Sequence, residues 1–130
     1  MLRSLLLTTC FASCLAMADS LPRGVHHVPQ SPSPDSPSRL IFTRDNNAPN
    51  ACDVELYVNQ QVVTTLAPGK STSLDLPSGP VSIAAAISSS GYCGGRGPGA
   101  SQSVLLAPGE TRQYAVIVKP GEAFIAPMPN

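Results

Sequence analysis

The residues best equipped for chemistry in this sequence are few: His26 and His27, four cysteines at 10, 14, 52 and 93, and scattered serines and carboxylates. Two adjacent histidines could begin a metal site. Zinc, however, needs three or four convergent ligands. His26 and His27 lie in a Pro/Ser-rich stretch with no Cys or carboxylate partner, so they read as solvated linker residues and no metal is expected. Gly69-Lys70-Ser71 has the ending of a phosphate-binding loop, yet Thr64 stands where its first glycine belongs. The segment also leads into a strand pattern, whereas a phosphate cradle opens a helix. No Gly-x-Ser-x-Gly is present, and neither histidine lies beside a nucleophile. Asp53 and Glu55 share one strand face, while Asp75 and Glu110 are scattered, so no acid/base pair can be argued. The expectation is a protein without catalysis and without a cofactor.

Cysteine arithmetic points elsewhere. Cys10 and Cys14 fall in an N-terminal export signal, which leaves Cys52 and Cys93. In an oxidising compartment an isolated pair in a small domain is most simply a disulfide. Neither sits in C-x-x-C nor beside a histidine that would lower a thiol pKa. Closing a loop of about 42 residues should stabilise the fold by roughly 4 kcal/mol in the chain-entropy account.

The export signal covers residues 1–18. Arg3 supplies the basic start, Ser4 to Leu15 the apolar stretch, and Ala16-Met17-Ala18 the small-x-small cleavage site before Asp19. The apolar run is about five residues short of the roughly 20 that span a bilayer, so no transmembrane helix is expected in the mature chain. Phe11-Ala12-Ser13-Cys14 loosely resembles a bacterial lipobox, which would make Cys14 a lipid anchor. Phe11 replaces its usual Leu, and the complete Ala-x-Ala site follows, so cleavage at Asp19 is favoured.

Composition narrows the classes further. The chain has 130 residues with 8 basic and 8 acidic side chains, too few and too balanced for the basic face that nucleic acid requires. Fourteen prolines argue against a helical bundle, because interior proline costs a helix about 3 kcal/mol. Residues 19–38 hold five of those prolines among Ser and Gln and read as an extended tether. Residues 120–130 read as a C-terminal tail.

Between them, residues 39–119 show short alternating runs separated by turn signals. Leu40 and Phe42 alternate with Ile41 and Thr43; Val54, Leu56 and Val58 with Glu55 and Tyr57. Asn59-Gln60 turns the chain into Gln61 to Leu66, and Pro68-Gly69 into Ser71 to Leu76. Val81, Ile83, Ala85 and Ile87 share one face with small residues opposite, and strands follow over Ser103 to Leu106 and Arg112 to Val118. About seven short strands at this spacing predict an all-β fold, a small antiparallel β-sandwich with one disulfide. Leu66-Ala67-Pro68-Gly69 recurs as Leu106-Ala107-Pro108-Gly109, which reads as one hairpin solution used twice.

Ser88 to Gly99 holds five of the ten glycines and must be a long loop. Its Tyr92 and Arg96 are contact-rich types, so the loop is either a candidate binding element or a connector pinned at Cys93.

The stretch Val54 to Val62, then Leu74-Asp75-Leu76-Pro77-Ser78-Gly79-Pro80-Val81-Ser82-Ile83, then Gly91-Tyr92, is similar to small bacterial exported β-sandwich modules, the PEGA-like and transthyretin-like envelope domains. Asn59-Gln60 stands where those families usually carry Asp-Gly, and the Pro-Glu-Gly-Ala tetrapeptide is absent. The resemblance implies a non-catalytic domain attached to envelope lipoproteins or secretion machinery. The expected function is therefore binding or support of another cell-envelope component, in the periplasm or at the cell surface. The competing expectation is a periplasmic inhibitor or immunity protein that blocks a toxin or hydrolase.

Overall fold

The computed structural model describes residues 29–47 and 49–129. The export signal, Cys14 and the His26–His27 pair lie outside them. Eight strands form two four-stranded sheets: β1 (Ser38–Arg44), β2 (Val54–Val58), β3 (Gln61–Leu66), β4 (Ser71–Leu76), β5 (Gly79–Ile87), β6 (Gln102–Leu106), β7 (Thr111–Lys119) and β8 (Glu122–Pro127). One sheet runs β4-β1-β7-β8 and the other β3-β2-β5-β6. The expected all-β sandwich is present, with three differences in its detail.

First, the stretch read as a C-terminal tail forms β8, antiparallel to β7. Ala123 and Ile125 alternate inward and are buried, although a Pro-Gly turn before them and Pro127 after them look like the punctuation of a loop. Second, β1 and β7 pair in parallel, so the sandwich is not wholly antiparallel. Third, the repeated Leu-Ala-Pro-Gly corners are not hairpins within a sheet. Each carries the chain from one sheet to the other, β3 to β4 and β6 to β7. Both are β-turns closed by a backbone bond, Lys70 to Ala67 and Glu110 to Ala107, with Gly69 and Gly109 at φ of 71° and 70°. That is the positive φ a Pro-Gly turn demands.

Strand alternation builds the core. Leu40 and Phe42 from β1, Val54 and Leu56 from β2, Val81 and Ile83 from β5, and Tyr114 and Val116 from β7 all face inward and are buried. Phe42 and Tyr114 are registered neighbours whose ring centroids lie 5.7 Å apart. On the opposite face of the first sheet, Arg39 and Asp75 stand directly across from each other and pair at 2.7 Å. This exposed pair contributes little to stability.

The two ends of the sandwich differ. β1 enters at one end, where the last part of the expected tether is fastened down. Ser78 Oγ donates to the Pro34 carbonyl at 3.2 Å, Ser38 Oγ to the Ala107 carbonyl at 2.7 Å, and Gly109 N to the Ser36 carbonyl at 3.4 Å. β8 returns to this same end, where Met128 N donates to the Gln113 carbonyl. β5, nine residues or roughly 27 Å long at about 3.3 Å per residue, runs from here to the far end. There it meets the glycine-rich loop.

Candidate functional site

The far end is organised by one disulfide and one buried arginine. Cys52 and Cys93 are bonded, with their Cα atoms 5.7 Å apart, which ties the lead-in of β2 to the glycine-rich loop. Both half-cystines pack against the core. Beside them Arg44, at the end of β1, is only 1% exposed. Its Nη1 donates to the carbonyls of Cys52 at 2.6 Å and Leu66 at 2.9 Å, and its Nη2 to that of Asn50 at 3.5 Å. Burial pushes its pKa down, while the charges of Asp53 and Asp45 act against that shift. Nε of Arg44 has no hydrogen-bond partner among the described residues. Sequence reasoning missed this residue, although a signal existed: Arg44 continues the inward alternation Ser38, Leu40, Phe42.

The two candidate contact residues occupy different places. Tyr92 sits in a single 3₁₀ turn, Gly91–Cys93, the one helical turn in a segment expected to be wholly loop, and its side chain is fully exposed. Cys93 N closes the turn on the Ser90 carbonyl, and Ser90 N is held by Ser88 Oγ at 3.2 Å. Arg96 is also exposed but belongs to the returning half of the loop, which lies down against β5. Contact is close there. A Cβ on Gly95 would stand 1.7 Å from the Ile87 carbonyl oxygen, so only glycine fits. The small residues of β5 that face away from the core explain this packing: Ala84 and Ala86 are 6% and 2% exposed despite pointing outward. Loop residues and β5 alanines line common cavities.

Arg96 thereby reaches the rim of a cleft of about 380 Å³. Its floor is Ala85 to Ile87, one wall is Gly95 to Ala100, and the other is Gly121 to Ile125 of the β7–β8 hairpin. Glu122 lines it too and supplies the opposite charge. Gln102 spans the cleft, its side-chain amide donating to the Ile125 carbonyl. Tyr92 is not among the lining residues.

The remaining polar residues weighed from sequence have ordinary structural neighbours. Glu55 accepts the Tyr57 hydroxyl at 2.8 Å, which raises the phenol's pKa. Asp53 accepts Ser88 N through its backbone carbonyl. Gly69-Lys70-Ser71 leads into β4. Glu110 binds the backbone N of Ala107 at 2.7 Å and the Arg112 guanidinium, which together hold its carboxyl below the usual range. Among the described residues no helix is long and apolar enough to cross a membrane.

Comparison with known protein families and with curated proteins finds no match to this chain.

Proposed function

We propose that this chain is an exported, non-catalytic β-sandwich that binds or supports another component of the cell envelope, with Tyr92 as its principal contact. One observation carries the reading: Tyr92 is fully exposed on a turn that Cys93 fastens covalently to the domain. A tyrosine is a large amphipathic group with few rotatable bonds, so a preorganised one loses little entropy on binding. It stands at the end opposite the fastened tether, which favours presentation away from whatever holds the N-terminal side. The disulfide fits an oxidising compartment.

The test is a pull-down from envelope extracts with the disulfide-bonded protein and its Tyr92→Ala variant. The variant should keep its thermal midpoint and lose its partner. Equal recovery by both proteins removes Tyr92 from the interface. Recovery of a toxic or hydrolytic enzyme, rather than an envelope assembly, assigns the protein to the inhibitor class. Turnover of peptidoglycan, ester or peptide substrates by the purified protein would overturn the non-catalytic part.

A further inference from the structure

The outer face of the second sheet holds a separate hollow of about 220 Å³ beside the glycine-rich loop. Strand alternation makes its floor. Val58 and Ile83 turn into the core, so Tyr57 and its registered partner Ala84 turn outward, with Ser82 next along the same face of β5. Gln60 lines one side from the β2–β3 turn, where its φ of 68° sets the direction of the chain. Pro98, Gly99 and Ser101 line the other side, on the stretch of loop that leads into β6. The hollow exists because Ala84 is small: a longer side chain there would fill the space between sheet and loop.

Its chemistry is that of neutral hydrogen bonding around one aromatic ring. None of the lining residues is charged. Glu55, next to Tyr57 along the outer face of β2, already accepts the Tyr57 hydroxyl at 2.8 Å. The Gln60 amide and the Ser82 and Ser101 hydroxyls take part in no side-chain hydrogen bond with another described residue, and each can both donate and accept. Ser82 is held in place for this: its backbone N–H donates to Asn59 Oδ1 at 3.1 Å and its carbonyl accepts Asn59 N at 2.8 Å. A hydroxyl fixed in advance loses little freedom when a ligand arrives.

We infer that this hollow binds a neutral sugar ring, a six-membered pyranose lying against Tyr57 with its hydroxyls toward Gln60, Ser82 and Ser101. An ion finds no opposite charge here, and a wholly apolar ligand would leave three polar side chains without partners. A pyranose has what both halves of the site require: a face of C–H groups for the tyrosine ring and a rim of hydroxyls that donate and accept. Small-molecule sites for drug-sized ligands run from about 300 Å³ upward, so a hollow of about 220 Å³ takes one ring and not two. That ring is either a free monosaccharide or the end residue of a glycan. The hollow shares no residue with the Tyr92 turn, so the inference stands apart from the preceding proposal.

The experiment titrates the disulfide-bonded protein with glucose, galactose, mannose and N-acetylglucosamine, each as the free sugar and as the end residue of a disaccharide. Binding is read from amide shifts in NMR spectra, with ethylene glycol as the control for general polyol effects. At least one sugar should give saturable shifts confined to Gln60, Ser82, Ala84 and Ser101 at millimolar concentration. Tyr57→Ala should weaken it at least ten-fold, while Tyr57→Phe, which keeps the ring, should stay within two-fold of the parent. Ser101→Ala, at an exposed loop position, should weaken it several-fold without loss of thermal midpoint. Tyr92→Ala should bind unchanged. Equal affinity for sugar and disaccharide assigns a free monosaccharide; a ten-fold tighter disaccharide assigns a glycan end. The inference is overturned if no sugar gives saturable shifts at these residues, or if Tyr57→Ala and Ser101→Ala, both folded, bind as well as the parent.

Discussion

Arg44 Nη1 lies 2.6 Å from the carbonyl oxygen of Cys52, to which it donates. One guanidinium thereby joins the end of β1, the disulfide and, through Leu66, the end of β3. A buried donor fork that serves several carbonyls is a task for arginine alone, since lysine offers a single compact head. Arg44→Met should lower stability by about 1–3 kcal/mol, because the buried Leu66 carbonyl and the half-buried carbonyls of Cys52 and Asn50 lose their donor. Arg44→Lys should recover only part of that loss. Urea denaturation of the three proteins checks the order; a fully stable Met variant would show that water replaces the guanidinium.

The disulfide gives a second expectation. Intact mass before and after reduction and alkylation should reveal no free thiol at Cys52 or Cys93 in the native protein. Replacing both cysteines by alanine should cost about 2–4 kcal/mol. Proteolysis should then begin in the glycine-rich loop, which has lost its covalent attachment at Cys93.

Gly95 and Gly97 separate two roles of glycine in that loop. At Gly95 a methyl group would overlap the Ile87 carbonyl, a backbone atom that cannot step aside. Gly95→Ala should therefore cost about 2–3 kcal/mol by displacing the loop. At Gly97 space is open and only the φ of 88° resists a side chain, so Gly97→Ala should cost about 1–2 kcal/mol. Thermal midpoints of the two variants decide whether contact or conformation matters more.

Acid should act through Glu110, whose folded pKa is depressed by the Ala107 backbone N–H and then by Arg112. A depressed carboxylate stabilises the fold above its unfolded pKa, and that contribution fades as pH falls through the folded value. Glu110→Gln should therefore unfold at lower urea than the parent at neutral pH. The difference should be below about 1.5 kcal/mol, because the half-exposed Glu110–Arg112 pair is screened by solvent. It should shrink as pH falls below the ordinary glutamate pKa of about 4.3. A gap that persists in acid would place the effect in shape rather than charge.

Much of this architecture was legible because local signals were strong. β3 and β4 have the bounds expected from Asn59-Gln60 and Pro68-Gly69, since turn chemistry fixes where a strand can begin. At Asn59 and Gln60 both φ angles are positive, 49° and 68°, as a two-residue hairpin requires. β8 was hidden because only Ala123 and Ile125 carry its inward face, too short a run to outweigh flanking prolines. The parallel partnership of β1 and β7 joins residues some seventy positions apart, such as Phe42 and Tyr114, and no local pattern encodes it. The cleft was invisible for the same reason, since it arises where β6 stops short of β5's far half. Tyr92 and Arg96 were singled out by type, but their separation into a presented turn and a cleft rim depends on Ala84 and Ala86 letting the loop lie down.

Because β1 enters and β8 leaves at the same end, the described domain has the geometry of a plug-in cassette. A fluorescent label, a surface linker or a fusion partner joined on either side would emerge beside Ser38 or Met128. Binding at Tyr92 could then be measured on immobilised protein without steric interference, and the domain could be grafted into a loop of an unrelated host.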